Sequence, residues 1–244
     1  MKKLICIFIF LCLTAFDINA AELKIVAEDY PPFEYKEDGQ VRGFTVEIIQ
    51  ILLSKTGHQG KFHILSWARA EKTALEEENV LIHTLTRSEK RENQYKWVGP
   101  LAPRELYFFK LREREDIQIN VLEDAKKYTA GTVTGQSATG NLIAKGFAEG
   151  KHIFSVPRDL QNVRKLYLGR IDLICMIEPV FYSRIKNLDL ERGKVEKAFL
   201  IDGSREYFMA FSKQTSDKIV HQFREALDII KQDGTFQKIK AKYF

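Results

Sequence analysis

Short apolar runs alternate with amphipathic helical patterns along most of the chain, and this alternation leaves few folds open to it. The first half predicts strands at 23–27, 62–65 and 80–84. Helices are predicted between them, one starting at Thr45 and ending at Gly57 and one running from Ser66 to about residue 77. Thr45 and Ser66 have the side chains of helix caps, and glycine is a common helix stop. Such strand–helix repeats are typical of α/β folds with mainly parallel sheets.

A second set of elements follows further along the chain. Its strands are predicted at 129–133, 153–156 and 172–177, with helices near 137–147 and 159–168. The β-rich stretches 106–111 and 207–211 flank this set, and helices at 216–231 and 235–244 close the chain. Two sets predict two lobes with two crossing segments between them, an arrangement that suits a hinge. We place lobe 1 at 21–105 plus 203–244 and lobe 2 at 106–202.

The N-terminus has the layout of a secretory signal peptide. Lys2 and Lys3 precede an apolar run at 4–16, and small residues follow at Ala20 and Ala21. A run of this length is too short for a membrane span, which needs about twenty residues. We predict that residues 1–20 are cleaved, after Ala20 or Ala21. Because Cys12 lies inside the apolar run and not at the cleavage point, lipidation is not expected.

The composition of the remaining chain excludes several classes of protein. Loss of Lys2, Lys3 and Asp17 lowers the formal net charge from +5 to +4, without a basic block of the kind that binds nucleic acid. Cys175 is then the single cysteine, so no internal disulfide can form. It lies in an apolar run and is expected to be buried in a strand. No partner of its own kind is indicated, and we expect a monomer.

Five motifs carry a resemblance to a known family. They are Asp29-Tyr30-Pro31-Pro32-Phe33-Glu34-Tyr35, Gly43-Phe44-Thr45-Val46-Glu47, Thr84-Leu85-Thr86-Arg87-Ser88-Glu89-Lys90-Arg91, Gly169-Arg170-Ile171-Asp172 and Asp233-Gly234-Thr235-Phe236. In this order and spacing the chain resembles the periplasmic solute-binding proteins of polar amino-acid ABC transporters, family 3, over residues 22–244. The resemblance implies the type II periplasmic binding protein fold: two α/β lobes joined by a two-strand hinge that close on a small polar solute. It also implies a periplasmic location and an inner-membrane ABC permease as partner.

The resemblance assigns Arg91 to the solute's carboxylate. The planar guanidinium of arginine can donate two parallel hydrogen bonds to a carboxylate. Thr84 and Thr86 would assist through the main chain or their hydroxyls. The alternative for Arg91 is a solvated surface charge.

Other candidate ligand-binding residues lie at predicted strand ends, where open α/β sheets bind ligands. In the family an aromatic residue at the position of Tyr30 covers the ligand, and Trp67 would form a second wall. Gly135 and Ser137 open a predicted helix whose free N–H groups favour an anion. Each has an alternative: Tyr30 and Trp67 as packed aromatics, and Ser137 as a helix cap.

One position departs from the family pattern. Amino-acid binders of this family usually place an aspartate shortly after the Gly-Arg-Ile-Asp strand, where it pairs with the ligand's ammonium. The aligned position here is Ile177, and Glu178 is offset by one. Since successive side chains of a strand point to opposite faces, a shift of one residue decides whether a side chain faces the cleft or the outside. Either Glu178 takes this role or the solute lacks an ammonium group.

Three functions remain open at this point. The first is a solute-binding protein that delivers its ligand to an ABC importer. The second is an enzyme on the same fold, similar to the cyclohexadienyl dehydratases, with Glu178 as general acid. The third is a ligand-sensing module for a membrane receptor. The five histidines are scattered, and no nucleophile–base pair stands out, so no catalytic residue, metal or cofactor is expected.

Overall fold

A computed structural model describes residues 21–244, and the predicted signal peptide at 1–20 lies outside the described residues. Its ten strands are β1 (Glu22–Ala27), β2 (Tyr35–Glu37), β3 (Gln40–Arg42), β4 (Gln59–Ile64), β5 (Val80–Thr86), β6 (Tyr95–Leu111), β7 (Ala130–Val133), β8 (Ile153–Val156), β9 (Leu173–Ile177) and β10 (Val195–Ser212). Its eight α-helices are α1 (Phe44–Thr56), α2 (Trp67–Glu76), α3 (Glu89–Glu92), α4 (Ser137–Ala144), α5 (Asp159–Tyr167), α6 (Glu178–Asn187), α7 (Asp217–Gln232) and α8 (Thr235–Tyr243).

Eight of these strands form one sheet in the order β4-β1-β5-β10-β6-β9-β7-β8. The first lobe contains the parallel group β4-β1-β5, and the second contains the parallel group β9-β7-β8. All seven residues of β5 are buried, as expected for a parallel strand covered by helices on both faces. The predicted α/β class and two-lobed architecture are therefore present.

The long strands β6 and β10 join the lobes. They pair antiparallel from Tyr95–Ser212 at one end to Leu111–Val195 at the other. One end of this ribbon lies beside β5 and the other beside β9, so it forms the two-strand hinge. The lobe boundaries placed at 105/106 and 202/203 fall inside these two strands. The sequence patterns predicted only the most apolar part of β6 and of β10, at 106–111 and 207–211.

The start of α1 differs from the prediction. The helix begins at Phe44 and not after Thr45, and its N-terminal flanking residue is Gly43, with φ 131°. A β-carbon at Gly43 would lie 2.2 Å from the Phe33 carbonyl oxygen, so only glycine permits this approach. The Thr45 hydroxyl points inward and bonds to Phe33 and Glu34. The prediction that Thr45 caps the helix was wrong, because a buried network competes for the hydroxyl.

Several elements were missed or shifted. Ser66 precedes α2 as expected, but its side chain makes no cap hydrogen bond. The β2–β3 hairpin and α6 had no clear periodic signal. Pro179, in the first turn of α6, suits a helix start. Within residues 21–244 we find no helix with the length and hydrophobicity that a bilayer-spanning segment requires.

Candidate functional site

A cavity lies between the two lobes, where β1, β5, β7 and β9 end. Six of the eight predicted ligand-binding residues line it: Tyr30, Trp67, Thr84, Thr86, Arg91 and Ser137. They come from four separate stretches of chain that meet only in the folded molecule. The cavity encloses about 30 Å³, which is room for about two water molecules. A larger solute therefore needs the lobes to separate before it enters.

Direct contacts between the lobes surround this cavity. The Gln136 amide of lobe 2 donates to Glu28 Oε1 of lobe 1 at 2.6 Å, and the Ser137 hydroxyl donates to Thr86 Oγ1 at 3.3 Å. Arg184 on α6 donates to Asp29 Oδ2 at 3.2 Å. These contacts cross from one lobe to the other, so they belong to the closed arrangement and are lost when the lobes separate.

The remaining two predicted residues lie elsewhere. Gly135 (φ 77°) lines a groove next to the cavity, and a β-carbon there would be 3.7 Å from the Trp67 ring. Glu178 lies on another face, where its carboxylate pairs with Lys197 at 2.5 Å. Because β9 ends at Ile177 and α6 starts at Glu178, the alternation of a strand no longer applies at this position. The structure does not bring Glu178 into the cavity.

The guanidinium of Arg91 is held by Glu71. Its Nε and Nη2 both donate to Glu71 Oε1, at 3.1 and 2.6 Å, and its Cζ lies 5.4 Å from the centre of the Trp67 ring. Arg91 is only 9 % exposed, so it is not a solvated surface charge. The third guanidinium nitrogen, Nη1, makes no hydrogen bond to Glu71. Sequence reasoning missed Glu71, which carries no signal beyond its place on a helix.

Two buried donors on the cavity wall have no hydrogen-bond acceptor among the described residues. They are Trp67 Nε1 and Arg104 Nη1, in side chains that are 8 % and 2 % exposed. The nearest acidic oxygen to Arg104 is Asp202 Oδ2 at 3.7 Å, beyond hydrogen-bond distance. A buried polar group without a partner costs about 1–3 kcal/mol. A ligand acceptor that reached these nitrogens would relieve this cost.

Glu28 is the least compensated acid of the cavity. Burial, followed by the negative charge of Asp159, raises the pKa of Glu28 to about 8, against a weaker opposing effect of the Gln136 hydrogen bond. Burial also raises the pKa of the Asp159 carboxyl, although Arg184 Nε donates to it at 2.9 Å. Neither acid was identified from the sequence. Glu28 directly precedes the Asp29-Tyr30 motif, and its place there was the available clue.

A buried network supports the loop that carries Thr84. Thr84 has φ 55°, an uncommon conformation for a β-branched residue. Its hydroxyl donates to Glu34 Oε2 at 2.6 Å, and Thr45 Oγ1 also donates to that oxygen at 2.8 Å. His83 Nδ1 lies 2.9 Å from Thr45 Oγ1. The Thr84 hydroxyl is thus engaged by the protein.

The described residues contain no cluster of metal-ligating side chains. Cys175 is buried beside the cavity, and burial raises the pKa of its thiol to about 12. A thiol in this state is a poor nucleophile, which agrees with the expectation of a buried apolar role.

Comparison with known proteins gives a consistent family. The model of the bacterial extracellular solute-binding proteins, family 3, matches residues 23–244. The probable amino-acid-binding protein YxeM of Bacillus subtilis (strain 168) is 23% identical over 235 residues, covering 93% of this chain and 85% of that protein. An arginine-binding periplasmic protein of Mannheimia haemolytica is 24% identical over 250 residues, covering 100% and 98%.

Solved structures share the fold. A histidine kinase sensor domain with similarity to periplasmic binding proteins superposes with a TM-score of 0.84 at 19% identity, covering 92% of this chain and 96% of that one. An ancestral arginine-binding protein bound to arginine gives a TM-score of 0.80 at 20% identity, covering 91% and 98%. The architecture is that of type II periplasmic binding proteins, and relatives of the chain are mostly binding proteins. With the family match spanning residues 23–244, the chain belongs to the bacterial extracellular solute-binding proteins, family 3.

Proposed function

We propose that this protein captures a small polar solute with a carboxylate group, an amino acid or a similar compound, between its lobes. It hands this solute to an ABC-type importer in the inner membrane. Residues 1–20 direct export and are then removed, so the protein works in the periplasm as a monomer without a lipid anchor. It performs no covalent chemistry.

The observation that carries this proposal is the pair of unsatisfied donors on the cavity wall. Trp67 Nε1 and Arg104 Nη1 have no acceptor in the described part of the chain. Arg91 Nη1 is not hydrogen-bonded to Glu71, which binds the other two guanidinium nitrogens. A carboxylate supplies acceptor lone pairs that charged donors bind strongly. The names of relatives, which include an arginine-binding protein and an L-cystine-binding protein, support an amino acid as the solute.

Capture follows from lobe closure about the hinge formed by β6 and β10. A solute that contacts both lobes stabilises the closed form by its differential affinity for that form. Arg91 and Trp67 on lobe 1 face Ser137 on lobe 2 across the cavity. A single carboxylate that reaches both sides therefore favours closure.

The alternative of an enzyme has less support from the site. The general acid considered for it, Glu178, pairs with Lys197 outside the cavity. Two acids do line the cavity, Glu28 and Asp159, and neither has a paired nucleophile among the residues lining the cavity.

A thermal-shift screen tests the proposed solute class. Purified protein lacking residues 1–20 is heated with each of the common amino acids and with the carboxamide of each amino acid that gives a shift. We expect the acid to raise the melting temperature and the amide to raise it far less, because binding to the native state alone stabilises it. Equal shifts from acid and amide would rule out the carboxylate requirement.

Arg91→Gln tests the residue assigned to the carboxylate. We expect the variant to bind about tenfold to a hundredfold more weakly in calorimetry, the usual effect of losing a hydrogen bond to a charged group. The matched control is Arg87→Gln. Arg87 also donates two hydrogen bonds to a glutamate, Glu92, but this pair lies on the exposed surface. Equal losses in both variants would contradict the assignment of Arg91.

The importer is tested in cells. Deletion of the gene is expected to abolish uptake of the radiolabelled solute at low concentration, and the gene in trans is expected to restore it. Normal uptake in the deletion strain, together with a changed transcriptional response to the solute, would favour the sensing module instead.

A further inference from the structure

Arg104 is a buried arginine in the part of the hinge that pairs with no third strand. The ribbon of β6 and β10 lies beside β5 at residues 207–211 of β10, and beside β9 at residues 106–109 of β6. Arg104 pairs with Arg205 across the ribbon, between these two contacts. Its side chain is 3 % exposed and belongs to the wall of the cavity between the lobes. The hinge and the cavity therefore meet at this arginine.

The charge of Arg104 is poorly balanced by the acid nearest to it. Like charges directly opposite each other in neighbouring strands are destabilising, and Asp202 of β10 lies close to both arginines. Asp202 Oδ2 is 3.1 Å from Arg205 Nε but 3.7 Å from Arg104 Nη1. The same oxygen accepts from the Asn141 amide at 2.9 Å, so two other nitrogens lie closer to it than Arg104 does. Arg104 Nη1 has no hydrogen-bond acceptor within residues 21–244.

The two acids of the cavity wall do not supply the missing partner. Glu28 accepts from the Gln136 amide at 2.6 Å, and Asp159 accepts from Arg184 Nε at 2.9 Å. Neither acid forms an ion pair with Arg104 in the described part of the chain. A buried cation without a partner is costlier than a buried neutral donor, because more hydration free energy is lost. The protein itself therefore provides too little negative charge at Arg104.

Arg91, the arginine assigned to the solute's carboxylate, differs from Arg104 in this respect. Glu71 accepts from two of its nitrogens at 3.1 and 2.6 Å, so its charge is paired within lobe 1. Arg91 lines both the cavity and the adjacent groove, whereas Arg104 lines the cavity alone. The two guanidinium groups come from different elements, α3 and β6, and the one at the hinge has the greater need of an anion.

We propose that Arg104 is a second anion-binding residue of the cleft, and that the solute therefore carries two acidic groups, one for Arg91 and one for Arg104. This inference rests on the proposed function and narrows its solute class to small dicarboxylates, with or without an amino group. A guanidinium binds a carboxylate through two parallel charge-assisted hydrogen bonds. Because Arg104 lies on the strand pair that joins the lobes, this contact connects the solute directly to the hinge.

Matched pairs of compounds test the second acidic group. The diacids are succinate, glutarate, aspartate and glutamate, and their partners with one carboxylate replaced by an amide are succinamate, glutaramate, asparagine and glutamine. Two chain lengths cover different separations of the acidic groups. In calorimetry we expect at least one diacid to bind wild-type protein about tenfold to a hundredfold more tightly than its amide, the usual effect of a hydrogen bond to a charged group.

The outcomes of this comparison separate the inference from the proposed function. If every amide binds as tightly as its diacid, or if only compounds with a single acidic group bind, the inference is wrong while the proposed function stands. If none of these compounds and no amino acid of the thermal-shift screen binds, the proposed function itself fails.

Arg104→Gln assigns the preference to one residue. We expect the variant to lose most of the preference for the diacid and to bind the amide about as well as wild type does. Without solute it should melt no lower than wild type, because it removes a buried donor that has no acceptor. A residue needed only for packing of the hinge would instead lower the melting temperature and leave the preference intact. That result would overturn the inference.

Arg104→Lys keeps the positive charge but not the planar guanidinium, so it should retain part of the preference for the diacid. This variant decides the question where the glutamine variant does not fold, and a full wild-type preference in it would count against Arg104. The control Arg112→Gln removes an exposed arginine just after β6 that pairs with Glu196. It should change neither affinity, and an equal loss of preference there would contradict a specific role of Arg104.

Discussion

At the residue scale, the site depends on a buried polar network that none of its members reveals alone. Glu34 and His83 are each 1 % exposed, and Thr45 is fully buried between them. The hydroxyl of Thr45 contacts Glu34 Oε2, His83 Nδ1 and the Phe33 carbonyl within 2.8–2.9 Å. Glu34 in turn accepts from Thr84. This network holds Thr84 in its left-handed conformation at the edge of the cleft, a strained state that persists only where its surroundings impose it.

Thr45→Val tests the network, since valine has nearly the shape of threonine without the hydroxyl. We expect a loss of about 2 kcal/mol in the free energy of unfolding in urea, because buried acceptors lose their donor. Solute affinity should fall as well, as Thr84 relaxes. The control is Thr56→Val, whose hydroxyl bonds only within α1. Similar stability in wild type and Thr45→Val would contradict a structural role for the hydroxyl.

At the element scale, α6 connects the lobes through one arginine. Arg184 is 3 % exposed and donates to Asp159 of α5 in its own lobe and to Asp29 of the loop after β1 in the other lobe. It therefore positions an acid at the cavity and also closes the lobes. A residue with both roles makes closure depend on helix α6, which sequence periodicity did not predict.

Asp29→Ala removes the carboxylate on the lobe 1 side and leaves the Arg184–Asp159 pair intact. We expect the ligand-free protein to shift toward the open form, with a larger radius of gyration in solution scattering. Solute affinity should be several-fold lower because binding must then drive more of the closure. Stability should change little, since the Asp29 side chain is 48% exposed. The control is Asp116→Ala, which removes an exposed ion pair within lobe 2. An equal increase in the radius of gyration in this control would contradict a role of the Asp29–Arg184 contact in closing the lobes.

At the scale of the whole molecule, closure and protonation are linked. Between about pH 5 and pH 8 the unfolded chain has lost the Glu28 proton, because the ordinary pKa of a glutamate is 4.5, whereas the closed form retains it up to a pKa of about 8. The native state then binds more protons than the unfolded state, so stability falls as the pH rises. The Asp159 carboxyl, whose pKa burial also raises, acts in the same direction.

Comparison of wild type with Glu28→Gln isolates this effect. Without solute, we expect wild type to lose stability relative to the variant from pH 5 to pH 8, by at most about 1.4 kcal/mol per pH unit. Chemical denaturation at several pH values gives the difference. A difference independent of pH would mean that the Glu28 carboxyl titrates normally in the folded protein.

The sequence alone was sufficient for the α/β class, the two lobes and most of the elements, because hydrophobic periodicity and turn residues are local properties. It also located six residues that line the cavity, among them Arg91 and Ser137, because their motifs lie at strand ends. It did not establish how far β6 and β10 extend, since their pairing with each other depends on residues about one hundred positions apart in the chain.

Only the tertiary structure decided which groups are left without a partner. Arg91 is restrained by Glu71 and Glu178 is paired with Lys197 on another face, whereas the buried Nη1 of Arg104, a residue of the cavity wall, has no acceptor among the described residues. A residue's charge can be read from the chain, but its burial and its partners arise from contacts between distant segments. The cost of an unpaired buried group, which selects the solute, exists only once those contacts have formed.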